Sequence, residues 1–135
     1  MSKSNATETA LLDYIFTNVA PAWDAATQLD IHLHTADPGE AGSQTTNETT
    51  YTSYARVAVA RSGAGWTVTG NSVSPAATIS FPACTGGTAT ITHVGIGTDS
   101  SGAGVLLYKG ALTPNIAVSS GVTPQVTTAS TVTED

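Results

Sequence analysis

Apolar and polar positions divide the chain into two unequal parts. Over residues 5–19 the side chains Leu11, Leu12, Ile15, Phe16 and Val19 recur at spacings of one, three and four, which is the stripe of one helix face. Asn5, with Glu8 three residues on, has the form of an N-cap with a return partner. Pro21 is placed to stop the helix, and Trp23 follows it as an anchor. Such a helix either packs on its own domain or lies in the groove of a neighbour.

From Leu29 the period changes to two. Leu29, Ile31 and Leu33 alternate with Asp30, His32 and His34, predicting a strand with one buried face and its polar residues turned outward. Ala36-Asp37-Pro38-Gly39 breaks it with turn chemistry. A long polar loop follows to Thr52, the kind of segment that in a compact domain is functional or pinned by a partner. Further strand candidates run over 54–61, 66–69, 78–81, 88–97, 104–109, 116–118, 124–128 and 130–133, punctuated by Gly70-Asn71, Gly86-Gly87 and Ser100-Ser101-Gly102. Pro75, Pro82, Pro114 and Pro124 belong at strand ends or edges, since proline donates nothing to a ladder. Arg56 and Arg61 fall on opposite parities, which predicts a bulge or strand end between them. Many short strands without helical crossovers predict a mainly β fold: an antiparallel β-sandwich over 28–135, preceded by one N-terminal α-helix in an arm over 1–27.

Charge narrows the function. Four Lys/Arg face ten Asp/Glu, a net charge of −6, which argues against nucleic acid, whose phosphates need basic patches, and against a polybasic membrane contact. Cys84 is the single cysteine, so no internal disulfide frames the fold, and no basic neighbour activates it. Met1-Ser2-Lys3-Ser4 lacks the basic-then-apolar pattern of a secretory signal.

Candidate chemistry is sparse, since charged residues make up only 10% of the chain and active sites cluster titratable groups. His32 and His34 project from one face of a strand, and Asp30 or His93 offers a third metal ligand; the competing reading is that they are simply the outward side of the strand. No Gly-x-Ser-x-Gly elbow exists, and Gly95-Ile96-Gly97 and Gly102-Ala103-Gly104 precede neither a helix nor a Lys-Ser/Thr pair. Trp66 and Tyr108 could stack a sugar or belong to the core. The expectation is a protein that is not an enzyme and carries no cofactor or metal. Arg56 is expected to pair with Asp37, Glu40 or Glu48, pinning the long loop.

Several motifs together suggest a family. His34-Thr35-Ala36-Asp37-Pro38-Gly39 is followed by Asn47-Glu48 and Tyr54-Ala55-Arg56, then by Ile91-Thr92-His93-Val94-Gly95-Ile96 and Leu106-Leu107-Tyr108-Lys109-Gly110-Ala111-Leu112. In that order they resemble small tailed-bacteriophage virion structural proteins of the decoration or tail-fibre type, over residues 29 to 133. The resemblance implies a jelly-roll-like sandwich that binds other virion proteins without catalysis, with Asp37, Gly39, Asn47, Glu48 and Arg56 fixing the loop. The leading expectation is a capsid decoration (cement) protein on the outer capsid surface, made in the host cytoplasm, a homotrimer bound to the major capsid protein. Leu12, Phe16, Trp23, Glu48 and Tyr51 are the expected partner contacts. The alternatives are a tail-associated or fibre protein with a receptor-binding role, and a small carbohydrate-binding or carbohydrate-active protein.

Overall fold

The computed structural model describes residues 1–134. A short strand β1 (Ser2–Lys3) leads into helix α1 (Asn5–Leu12), which continues as a π-helical turn over Asp13–Thr17. Nine strands follow: β2 (Gln28–His34), β3 (Val57–Ala60), β4 (Trp66–Thr69), β5 (Ser72–Pro75), β6 (Ile79–Ser80), β7 (Ala89–Gly97), β8 (Leu106–Val118), β9 (Gln125–Val126) and β10 (Val132–Thr133). They form a five-stranded sheet in the order β1-β8-β7-β2-β3, a three-stranded sheet β10-β5-β4 and a two-stranded sheet β6-β9. Every pairing is antiparallel. The fold is therefore mainly β with one N-terminal helix.

The core lies between the large sheet and the two small ones. Ile31, Leu33, Ile91, Val94 and Ile96 meet Ile79, Phe81, Val126 and Val132 there, all buried. Each such aliphatic side chain contributes about 1.5–3 kcal/mol by leaving water. No helix among the described residues is long and apolar enough to cross a membrane.

Several local expectations need correction. The N-cap is Ser4, whose hydroxyl accepts from the Thr7 N–H, and not Asn5. The helix ends before Pro21, because Asn18 takes the left-handed conformation (φ 56°) and caps onto the Asp13 carbonyl. Candidates 104–109 and 116–118 are one strand, β8. Its register against β7 slips between Ile91/Ile116 and His93/Ala111, so Pro114 lies in a bulge where no ladder bond is needed. β5 went unpredicted because Ser72-Val73-Ser74 is short and abuts a turn; pairing with both β4 and β10 makes it a strand. β3 is only four residues long, and Arg56 and Arg61 flank it.

The largest correction concerns β2. Its polar residues are not turned to water: Asp30, His32 and His34 are as buried as Ile31 and Leu33. Alternation fixed two faces correctly, but the 37–52 loop folds back over the second one, so both are inside.

Candidate functional site

The loop is built around an ion pair. Arg56 donates from Nε to Glu48 Oε1 and from Nη2 to Glu48 Oε2, each at 2.7 Å. The same guanidinium donates to the carbonyls of Asp99 and Gly102 at 2.7 Å, tying the loop to the β7–β8 turn. Tyr54 donates its hydroxyl to Glu48 at 2.8 Å and accepts the Leu33 N–H at 3.1 Å. Burial pushes the Tyr54 hydroxyl up, so it stays protonated and able to donate. Glu48 and Thr49 run beside β2 where β3 has ended, with the Thr49 N–H bonded to the Leu33 carbonyl at 2.9 Å.

Gln44 is a second pin. It is fully buried, donates to the Asp99 carbonyl at 3.0 Å, and accepts from the N–H groups of Thr98 and Asp99. Its amide fills the space where a Cβ on Gly97 or Gly104 would stand, so a side chain at either position would have to displace it. Elsewhere Asp37 accepts from the Gly39 N–H at 2.8 Å and pairs with Lys109, and both contacts hold its carboxyl below the usual range. Gly39 (φ 74°) and Asn47 (φ 57°) turn the chain, and the Asn47 amide donates to the Asp37 carbonyl at 3.0 Å.

Beneath the loop lies a sealed polar row. His32 Nδ1 and His34 Nε2 are 2.7 Å apart and share a hydrogen bond, and His34 Nδ1 bonds the Thr46 carbonyl at 2.8 Å. Two imidazoles bonded to one another do not jointly face a metal ion. Among the described residues no three His, Cys, Asp or Glu side chains are grouped as ligands would be. Burial drives His32 down to about 2 and lowers His34, and it raises Asp30. All three are thereby pushed toward their neutral forms. Gly95 makes the row possible, since a Cβ there would stand 2.0 Å from His32 Cε1.

Two apolar surfaces remain uncovered. The first is the arm. Its first turn is bound to the body: the Ser4 hydroxyl donates to the Leu106 carbonyl, and the Asn5 N–H to the Glu40 carbonyl at 2.9 Å. Beyond it every residue from Leu12 to Ala20 is exposed, including Phe16 at 77% and Ile15 at 67%. The chain returns through a turn whose carbonyls, at Trp23, Asp24 and Ala26, all accept from Arg61 Nη1. The second is a cleft of about 660 Å³ at one end of the sandwich, walled by Leu29, Trp66, Val68, Val73, Ile96 and Leu107 with Arg61 in its lining.

The described residues thus combine a β body, a loop fixed by buried polar pairs and an outward apolar arm. The family described as Podophage GP4 fiber I protein gp80 matches residues 2–134. The chain belongs to that family. It is accordingly a structural protein of the tailed-phage virion. No curated protein matches it.

Placed on the gp80-family fold, the expected contacts separate. Leu12 and Phe16 stand on the open face of the arm, and Trp23 is half-buried at its return. Tyr51 is 5% exposed, packs in the core, and donates its hydroxyl to the Pro82 carbonyl. Glu48 is spent internally on Arg56 and Tyr54. Of the three acids considered for Arg56, Glu48 takes it. Asp37 takes Lys109 instead, and Glu40 contributes its backbone carbonyl to Asn5. Trp66 and Tyr108 do line the same cleft, but the Tyr108 hydroxyl donates to Glu134. Gln44 was missed altogether. A lone Gln in a polar loop carries no signal unless Gly97 and Gly104 are known to face it.

Proposed function

We propose that the protein is a non-catalytic subunit of a virion fibre, fastened to neighbouring virion proteins by its helical arm. The observation that carries this reading is the arm itself: an apolar stripe held clear of the body that water alone covers in the single chain. Exposed apolar patches of this kind mark association surfaces. The family description favours the fibre as the location. Support for a non-catalytic role comes from the titratable groups, since Glu48, Arg56, His32 and His34 are committed to one another inside the fold.

The outer capsid surface is the second reading, with the major capsid protein as partner and a symmetric oligomer of three copies as the assembly. The same outward arm would serve there, and the net charge of −6 suits an exterior position better than a DNA-filled interior. Three-dimensional reconstruction of intact particles, with a tag fused beyond residue 134, decides between the two. Tag density along a fibre is expected. Density on the shell selects the second reading, and particles lacking the protein would end both.

A further inference from the structure

The large hydrophobic side chains exposed beyond half their surface are Leu12, Tyr14, Ile15, Phe16, Val19 and Val68. The first five form the arm, and Val68 lies at the mouth of the cleft. Among the described residues the most exposed large hydrophobics thus fall on a projection and at a recess. The five arm residues are between 53% and 77% exposed, and uncovered apolar side chains grouped in this way mark association surfaces. We infer that the arm of one copy seats in the cleft of a second copy.

The chain's own arm does not fill its own cleft. Ser4 and Asn5 bind the first turn to the Leu106 and Glu40 carbonyls, and Arg61 holds the return limb at Trp23, Asp24 and Ala26. Both ends are fixed with the stripe facing away. A small apolar ligand would suit a cleft of about 660 Å³ but would leave the stripe in water. A second copy covers both surfaces at once.

Charge agrees. Lys3, Arg56 and Lys109 each have a carboxylate partner, and Arg61 has none among the described residues. Its Nη1 donates to the three carbonyls, and the residue lines the cleft. Glu8 lies one turn ahead on the apolar stripe and Asp13 flanks it. Neither carboxylate has an ion-pair partner among the described residues. Seating the arm brings these acids to Arg61. The contact joins unlike surfaces, so it can propagate head to tail, as a ring where the rotation between copies closes and as a filament where it does not.

This inference rests on the arm being the docking element and names what it docks into. The test mixes two full-length single variants, Phe16→Cys and Val68→Cys, under mild oxidation; the native Cys84 is buried. A disulfide joining one chain of each kind is expected, and Phe16→Cys linked only to itself would overturn the inference. A second measurement avoids oxidation. By light scattering the unaltered protein should be an oligomer, and Leu12→Ser/Phe16→Ser and Val68→Lys should each be monomeric. Mixed, they should regain a dimer, because the first keeps its cleft and the second its arm. Monomers in that mixture, with the arm variant still missing from particles, would overturn the self-contact while leaving the arm's docking role standing.

Discussion

Arg56 and Glu48, eight residues apart, meet through two hydrogen bonds of 2.7 Å with side chains only 4% and 13% exposed. The pair joins three segments, because the guanidinium also reaches the carbonyls of Asp99 and Gly102. Removing one partner strands the other's charge in a low-dielectric site.

Arg56→Met or Glu48→Leu alone should therefore cost about 3–5 kcal/mol, a large part of a domain's stability. The double variant should cost clearly less than the sum, since no unpaired charge remains. Denaturant midpoints for the four proteins of this cycle give the coupling. Additive losses would show that the pair is not a unit.

Gly95→Ala places a methyl where His32 Cε1 stands 2.0 Å away, with His34 Nε2 at 2.8 Å. Those rings are locked to each other, so relief needs movement of β7 against β2. A loss of about 1–3 kcal/mol is expected, read as a lowered melting temperature. Gly63→Ala, with nothing near its Cβ, serves as the control and should be close to neutral.

Acid should destabilise the fold from about pH 6.5 downward. His32 and His34 titrate lower in the folded state than in the unfolded chain, His32 near 2 against 6.5. Below 6.5 the unfolded chain binds protons that the folded protein refuses. Each histidine then removes up to about 1.4 kcal/mol per pH unit. Asp30, raised by burial, works the other way: the folded state takes its proton first, which offsets part of the loss. Two histidines against one carboxyl leave the histidine sign. Denaturant midpoints at pH 7.5, 6.5 and 5.5 should fall across the series; a flat series would remove the sealed histidine row as its basis.

Leu12→Ser/Phe16→Ser should leave the stability of the single chain within about 0.5 kcal/mol, since both side chains are already in water. Incorporation into particles should drop sharply. Thermal melting paired with quantitation of the protein in purified virions checks both halves. A large stability loss would mean that these residues pack on the body after all.

What the sequence determined by itself was set by local periodicity and turn chemistry. The helix stripe, the faces of β2 and the antiparallel β class all follow from spacings of three to four or two, and the long loop from its flanking turns. Motif order also carried the phage-virion resemblance. Tertiary structure alone decided what lies over each face. Asp30, His32 and His34 read as an outward side because alternation separates two faces without saying whether either meets water. The 37–52 loop covers theirs through Gln44 and Glu48, whose partners lie 55 and 8 residues away. Leu11, Leu12, Ile15, Phe16 and Val19 read either as a stripe packed on the chain's own domain or as a docking stripe. Only the anchoring of Ser4 and Thr7 at Leu106 turned that face outward. Burial is a property of which segments meet, and long-range contacts such as these leave no trace in local pattern.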